Sequence, residues 1–245
     1  MKKPASVAIW VLTGLALASP ASAEARLKII ANGTFAAGSV DFEDTRTFTE
    51  FVEQGTLDTS YSADTAFGAE LGVQYDFTRH LGLRASYSFL SRGQTTSYTA
   101  EFPHPLLFDR HRQVQGDLPG LSLGENAGRF DLVAGTDLGP VEVSVFGGVA
   151  VFLVEVELIE AVDYSHAYPY DTVTVGSVPT VSFEDKPVGF DAGVGLDYRF
   201  GKRFGLGAHL RFSRATLEVS PVPDSDPIEI RVGGIEVATG LRIVF

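Results

Sequence analysis

The 245-residue chain has no cysteine, one methionine and one tryptophan, and its 19 basic residues are outnumbered by 31 acidic ones. Without cysteine there is no disulfide framework, so stability rests on burial and hydrogen bonding. The acidic excess repels a phosphate backbone, which excludes nucleic acid as a class of partner. Long apolar runs are missing too, apart from one at the N-terminus, from about Ala5 to Ala18, behind Lys2 and Lys3. That run falls short of the ~20 residues of a spanning helix. Pro20 and Ala21-Ser22-Ala23 follow it in the small-x-small pattern of a cleavage site. Residues 1–23 therefore read as a cleaved signal peptide and 24–245 as one exported domain, with 17 basic residues against 31 acidic.

What the chain does have is alternation. Val188, Phe190, Ala192, Val194, Leu196, Tyr198 and Phe200 share one parity; Gly189, Asp191, Gly193, Gly195, Asp197 and Arg199 take the other. Such a segment is a strand with one apolar and one polar face. The pattern returns over 66–77, 81–89, 129–138, 141–153, 204–213 and 235–245. It is least clean over 26–37, where Ile30 intrudes on the polar side, and Phe146 and Phe152 blur the strand 141–153. Thr78-Arg79-His80, Gly139-Pro140 and Gly201-Lys202-Arg203 read as tight turns, while 38–63, 98–124, 161–186 and 221–232 read as long polar loops. Short turns on one side and long loops on the other predict an all-β, eight-stranded antiparallel up-and-down transmembrane barrel.

The apolar face is expected outside, against lipid. Lys28, Glu70, Arg84, Asp131, Glu142, Asp191, Asp197, Arg211, Glu236 and Arg242 lie on the polar faces, where a closed lumen lets opposite charges pair. Glycines sit mostly on that same face, as a narrow interior requires. Aromatics gather at strand ends: Tyr75, Phe77, Tyr198, Phe200, Phe204 and Phe245 at one rim, Phe35, Phe67, Tyr87, Phe89, Phe190 and Phe212 at the other.

The hairpin from Glu70 to Tyr87, with Tyr75-Asp76-Phe77-Thr78 and Leu81-Gly82-Leu83-Arg84-Ala85-Ser86-Tyr87, resembles that of OmpA/OmpX-like small outer-membrane β-barrel domains. Asp197–Leu206 repeats the theme. The C-terminal Gly240, Leu241, Ile243 and Phe245 resemble the assembly signal of Gram-negative barrels. The resemblance implies the bacterial outer membrane as location, with outer-membrane lipid, lipopolysaccharide and the barrel-assembly machinery as partners. The chain stops at its last strand, so the tethering role of a peptidoglycan-binding domain is not implied.

Candidate chemistry is sparse. Lipid-A-modifying barrels would call for a His/Ser/acid set, for which His209, Ser213 and Ser88 are the candidates, without an evident acid to orient the histidine. His104 and His111 are weak metal ligands beside Asp109, Arg110 and Arg112, and the acidic stretches 41–64 and 157–185 lack a recognised calcium spacing. No catalytic residue, resident metal or cofactor is expected. The reading is a barrel with a charge-filled closed lumen and acidic loops, structural or meeting an extracellular ligand. A narrow channel for ions or small solutes is the alternative, and a lipid-modifying enzyme the third reading.

Overall fold

A computed structural model describes residues 26–37, 40–63, 65–219 and 228–245. The signal peptide expected over 1–23 and part of the stretch 221–232 lie outside the described residues. The described residues form thirteen strands: β1 (Arg26–Ala37), β2 (Val40–Glu50), β3 (Glu53–Ala63), β4 (Ala66–Asp76), β5 (Leu81–Pro103), β6 (His111–Leu138), β7 (Val141–Ile159), β8 (Tyr164–Ser165), β9 (Thr174–Val175), β10 (Thr180–Asp185), β11 (Val188–Arg199), β12 (Phe204–Val219) and β13 (Ile228–Val244).

Eight of them close a ring. β1 pairs β4, then β5, β6, β7, β11, β12 and β13 follow, and β13 returns to β1, all antiparallel. Closure leaves the membrane no unpaired backbone, which hydrocarbon would penalise heavily. The closing seam runs from Lys28↔Val244 to Ala37↔Ile235, and Phe245 N–H donates to the Leu27 carbonyl at 2.9 Å.

The parity holds strand by strand. Val194, Leu196, Leu206, Leu210, Val237 and Leu241 face outward and are about half exposed, as the belt of a lipid-facing wall is. Ile30, Phe146 and Phe152, the residues that interrupt the pattern, all point into the barrel and are at most 5% exposed.

Two of the long polar stretches, 40–63 and 98–124, are largely strand, whereas 161–186 keeps only the short β8, β9 and β10. β2 and β3 form a hairpin that carries β1 and β4 upward, with β3 pairing the upper part of β5 from Thr56↔Glu101 to Ala63↔Gln94. β5 and β6 continue their own ladder to Pro103↔His111, and β10 pairs the top of β7. A tall rim therefore stands above the membrane. One residue re-aims part of it: Gln94 faces Leu121 but Thr95 faces Pro119, so Gly120, at φ +91°, is an extra residue in β6. The bulge swaps which parity points inward, from Leu121 and Leu123 below to Leu118 and Val114 above.

Candidate functional site

The interior has two zones of opposite chemistry. In the lower zone, arginines and acids interleave. Arg211, fully buried, donates to Glu236 at 2.9 Å and to Glu70 at 2.8 Å, and its Nε lies 3.3 Å from Asp191. Arg129 donates to Ser88 at 2.5 Å and reaches Glu236 at 3.4 Å and Asp191 at 3.8 Å. Toward the short turns, Arg242 donates to Asp197 at 2.9 Å and to Asn32 at 2.6 Å, while Arg84 donates to Gln74 at 3.2 Å. Lowest of all, Lys28 bridges Glu142 and Asp76. Asp131 stands opposite Arg84 across β5 and β6.

The ring of Phe146 lies among these cations, 4.4 Å from the Arg84 guanidinium carbon and 5.4 Å from that of Arg211. A ring face attracts cations, so this aromatic adds to what the nearby carboxylates do in holding two like charges close together. Glycine makes the crowding feasible. A β-carbon at Gly193 would meet the Phe146 ring at 2.5 Å, and one at Gly207 the Arg242 guanidinium at 2.5 Å.

Of the ten charges named from the sequence, Lys28, Glu70, Arg84, Asp131, Asp191, Arg211, Glu236 and Arg242 are buried, and Glu142 and Asp197 are partly exposed. Arg129, Arg92, Glu125, Asn32 and Gln74 join them, with Arg92 3.4 Å from Glu125. Arg129 shares parity with Asp131, so the alternation could have found it; Arg92 and Glu125 lie past the ends expected for their strands. His209, Ser213 and Ser88 are buried inside the ring, not at its lipid face. An acid does stand by the histidine: Glu70 Oε2 is 3.3 Å from His209 Nε2. Glu70, His209 and Glu236 bring ligand atoms within 4.8 Å of one another. Arg211 already binds both carboxylates and supplies the positive charge that a metal ion would bring.

Above Arg92 the zones invert. On β7 the inward side runs Ala150, Phe152, Val154, Val156 and Leu158, all buried, while the outward side passes from Val151 and Leu153 to Glu155 and Glu157. On β5 the outward side passes from Leu83 and Phe89 to Ser91, Thr95 and Ser97. Water replaces lipid outside, and apolar side chains replace ions inside. Val40, Phe42, Tyr61, Leu121, Leu123 and Phe152 join Leu217, Ile230 and Val232 in one core that fills the rim. Phe42 stacks on Tyr61 at 4.6 Å, and the Tyr61 hydroxyl accepts from the Ile159 N–H at 3.0 Å. Burial pushes the Tyr61 phenol up from its ordinary pKa.

A second cluster, with Leu57, Tyr98, Phe102 and Ile159, sits higher and is covered by residues 162–178. Tyr164 packs there on Phe102 at 4.0 Å; burial and the nearby Glu50 carboxylate push its phenol up. His104 is buried, and its Nδ1 accepts from Leu106 N–H at 3.1 Å and Leu107 N–H at 3.2 Å, so it holds a turn rather than an ion. Arg110 is paired with Asp171 at 3.0 Å, and Arg112 donates to the Pro103 carbonyl.

An apolar belt outside, ions inside and a closed antiparallel ring leave one setting for the chain. A family model described as outer membrane protein beta-barrel domain matches residues 8–234. The chain belongs to that family. It is an outer-membrane β-barrel protein of a Gram-negative bacterium. No curated protein matches its sequence significantly. Among solved structures, OprG of Pseudomonas aeruginosa is similar at 11% identity and a TM-score of 0.53, over 90% of this chain and 95% of that one. Neisserial surface protein A is similar at 11% identity and a TM-score of 0.45, over 90% of this chain and 97% of that one. Ail of Yersinia pestis, solved with the heparin analogue sucrose octasulfate, is similar at 14% identity and a TM-score of 0.43, over 91% and 100%.

Proposed function

We propose that this outer-membrane barrel is a sealed scaffold that presents its rim to the surroundings of the cell. The carrying observation is a lumen filled twice over. Eight strands enclose an interior that side chains nearly fill, and here ion-paired layers occupy the lower zone and an apolar core the upper. Ions in transit would have to displace buried salt bridges and then lose their water among Phe152, Leu123 and Ile230, each 0% exposed. The lipid-A enzyme reading loses its candidates to the lumen, since His209, Ser213 and Ser88 are screened from acyl chains by the barrel wall.

The remaining roles follow the same frame. Residues 1–23 act as the export signal and 24–245 form the mature barrel. Gly240, Leu241 and Ile243 lie on the closing strand and Phe245 directly follows it, where the assembly machinery would engage them; Phe245 is 63% exposed. Outer-membrane lipid and lipopolysaccharide meet the apolar belt and its aromatic ends.

Planar-bilayer recording tests the sealed reading. The mature barrel is expected to pass no discrete current steps, and the double variant R84A/R211A to stay silent as well, because the rim core lies in series with the charged layers. Steps from the wild type would establish the channel reading instead. Steps from the double variant alone would show that the rim core does not seal.

A further inference from the structure

The tips of the rim expose large apolar side chains beside a few charged ones, which the rest of its water-facing surface does not. Val52 is 91% exposed, Tyr168 81%, Phe108 77% and Leu106 64%. They stand on three tips: the β2–β3 turn, the β5–β6 turn and the segment between β8 and β9. These tips are joined. Asp109 N–H donates to Glu53 at 2.7 Å, His111 Nε2 lies 3.0 Å from the Gln54 carbonyl, and Arg110 pairs with Asp171. The Phe51 ring lies 6.0 Å from His166, which contacts Tyr170 at 5.3 Å. The exposed groups therefore form one platform farthest from the membrane.

Folding does not explain the choice of residues. Phe51 at φ +50° and Val52 at φ +71° make the hairpin turn, where Asn-Gly would be unstrained. A β-branched residue at positive φ costs free energy. Its side chain is not repaid by burial, since Val52 is almost wholly exposed. Exposed apolar patches of this kind mark places where something binds.

Charge selects the occupant. β2 and β3 carry six acidic residues against one basic, with Asp41, Glu43 and Asp58 exposed, and residues 155–186 carry seven against one, nearly all exposed. Such a surface repels anionic glycans and acidic lipid, and it repels a second copy of itself. We propose that the three tips form a docking platform for a cationic, amphipathic polypeptide: apolar side chains seat on Val52, Phe108 and Tyr168, and lysines or arginines meet the acidic flanks. The inference rests on the surface-interaction reading above and names the partner chemistry for it.

The test uses the mature barrel in zwitterionic nanodiscs, with empty discs as blank. Probes are an amphipathic Leu/Lys peptide, a Ser/Lys peptide of equal charge and an amphipathic Leu/Glu peptide. The Leu/Lys peptide is expected to bind most tightly, and more weakly as salt is raised. A variant carrying F51N, V52G and F108S is expected to fold as well as the wild type, because the turn loses its strain. It should bind the Leu/Lys peptide roughly tenfold more weakly or worse, as when an interface hot spot is removed. Equal binding by variant and wild type would overturn the proposal, as would equal binding of the Leu/Glu peptide. So would tip-dependent dimers, which make a second copy the occupant, or tip-dependent attachment to phosphatidylglycerol vesicles, which makes it lipid. A conducting barrel that still distinguishes the peptides overturns only the sealed reading; a silent one that does not overturns only this inference.

Discussion

Arg211 shows how a single side chain organises the interior. It is fully buried and touches Glu70, Asp191 and Glu236 from three different strands. Removing one member of a buried ion pair leaves the others charged and dry, at a cost of about 3–5 kcal/mol. Arg211→Leu is expected to lose that much in urea unfolding from lipid vesicles, and adding Glu70→Gln should recover part of it. No loss in the single variant would mean that water solvates the acids. Tyr61 works at the same scale in the rim. Its phenol has a higher pKa folded than the ~10 of an unfolded chain. Its contribution is therefore complete below pH ~10 and lost as pH rises through the folded value. Tyr61→Phe should weaken this alkaline loss, while orphaning the Ile159 N–H costs about 1–3 kcal/mol at neutral pH. An unchanged alkaline midpoint in unfolding curves would show that Tyr61 does not report on the rim.

A strand in this protein has two faces whose roles exchange along its length. Val194 of β11 faces lipid beside Val145 and Leu210. Val194→Arg is expected to cost ~2–4 kcal/mol by the depth rule for barrels, and unchanged stability in lipid would refute the assigned parity. Higher up, the single extra residue of β6 decides orientation. Deleting Gly120 would turn Leu118 and Val114 outward and send Asp117 inward. The expected result is a protease-sensitive rim on a lower barrel that still migrates as folded in a cold gel. A protease-resistant rim would mean that the strand repacks without the bulge.

At the level of the whole molecule, the chain joins a membrane protein to something built like a soluble one. Below the outer aromatic girdle the order is polar inside and apolar outside; above it the order reverses. The same strands satisfy both because a strand presents independent faces at each residue, and only the surroundings change from lipid to water. This arrangement is why R84A/R211A is expected to remain silent in a bilayer. It also lifts the apolar tips well clear of the lipid.

The sequence by itself determined the all-β class, the ring of eight and the tight turns. Each depends only on period-two alternation, which is a local property. Phe146 and Phe152 looked like noise in that pattern and are instead interior residues: one lies over arginines, the other in the rim core. Only the tertiary structure decided that 40–63 and 111–124 are strands, because their alternation follows the soluble rule and reads as polar loop when lipid is assumed outside. It alone decided which acid meets which arginine, since residues 141 apart, such as Glu70 and Arg211, become neighbours only through ring closure. The joined platform of Val52, Phe108 and Tyr168 belongs to the same class, built from tips that no local pattern connects.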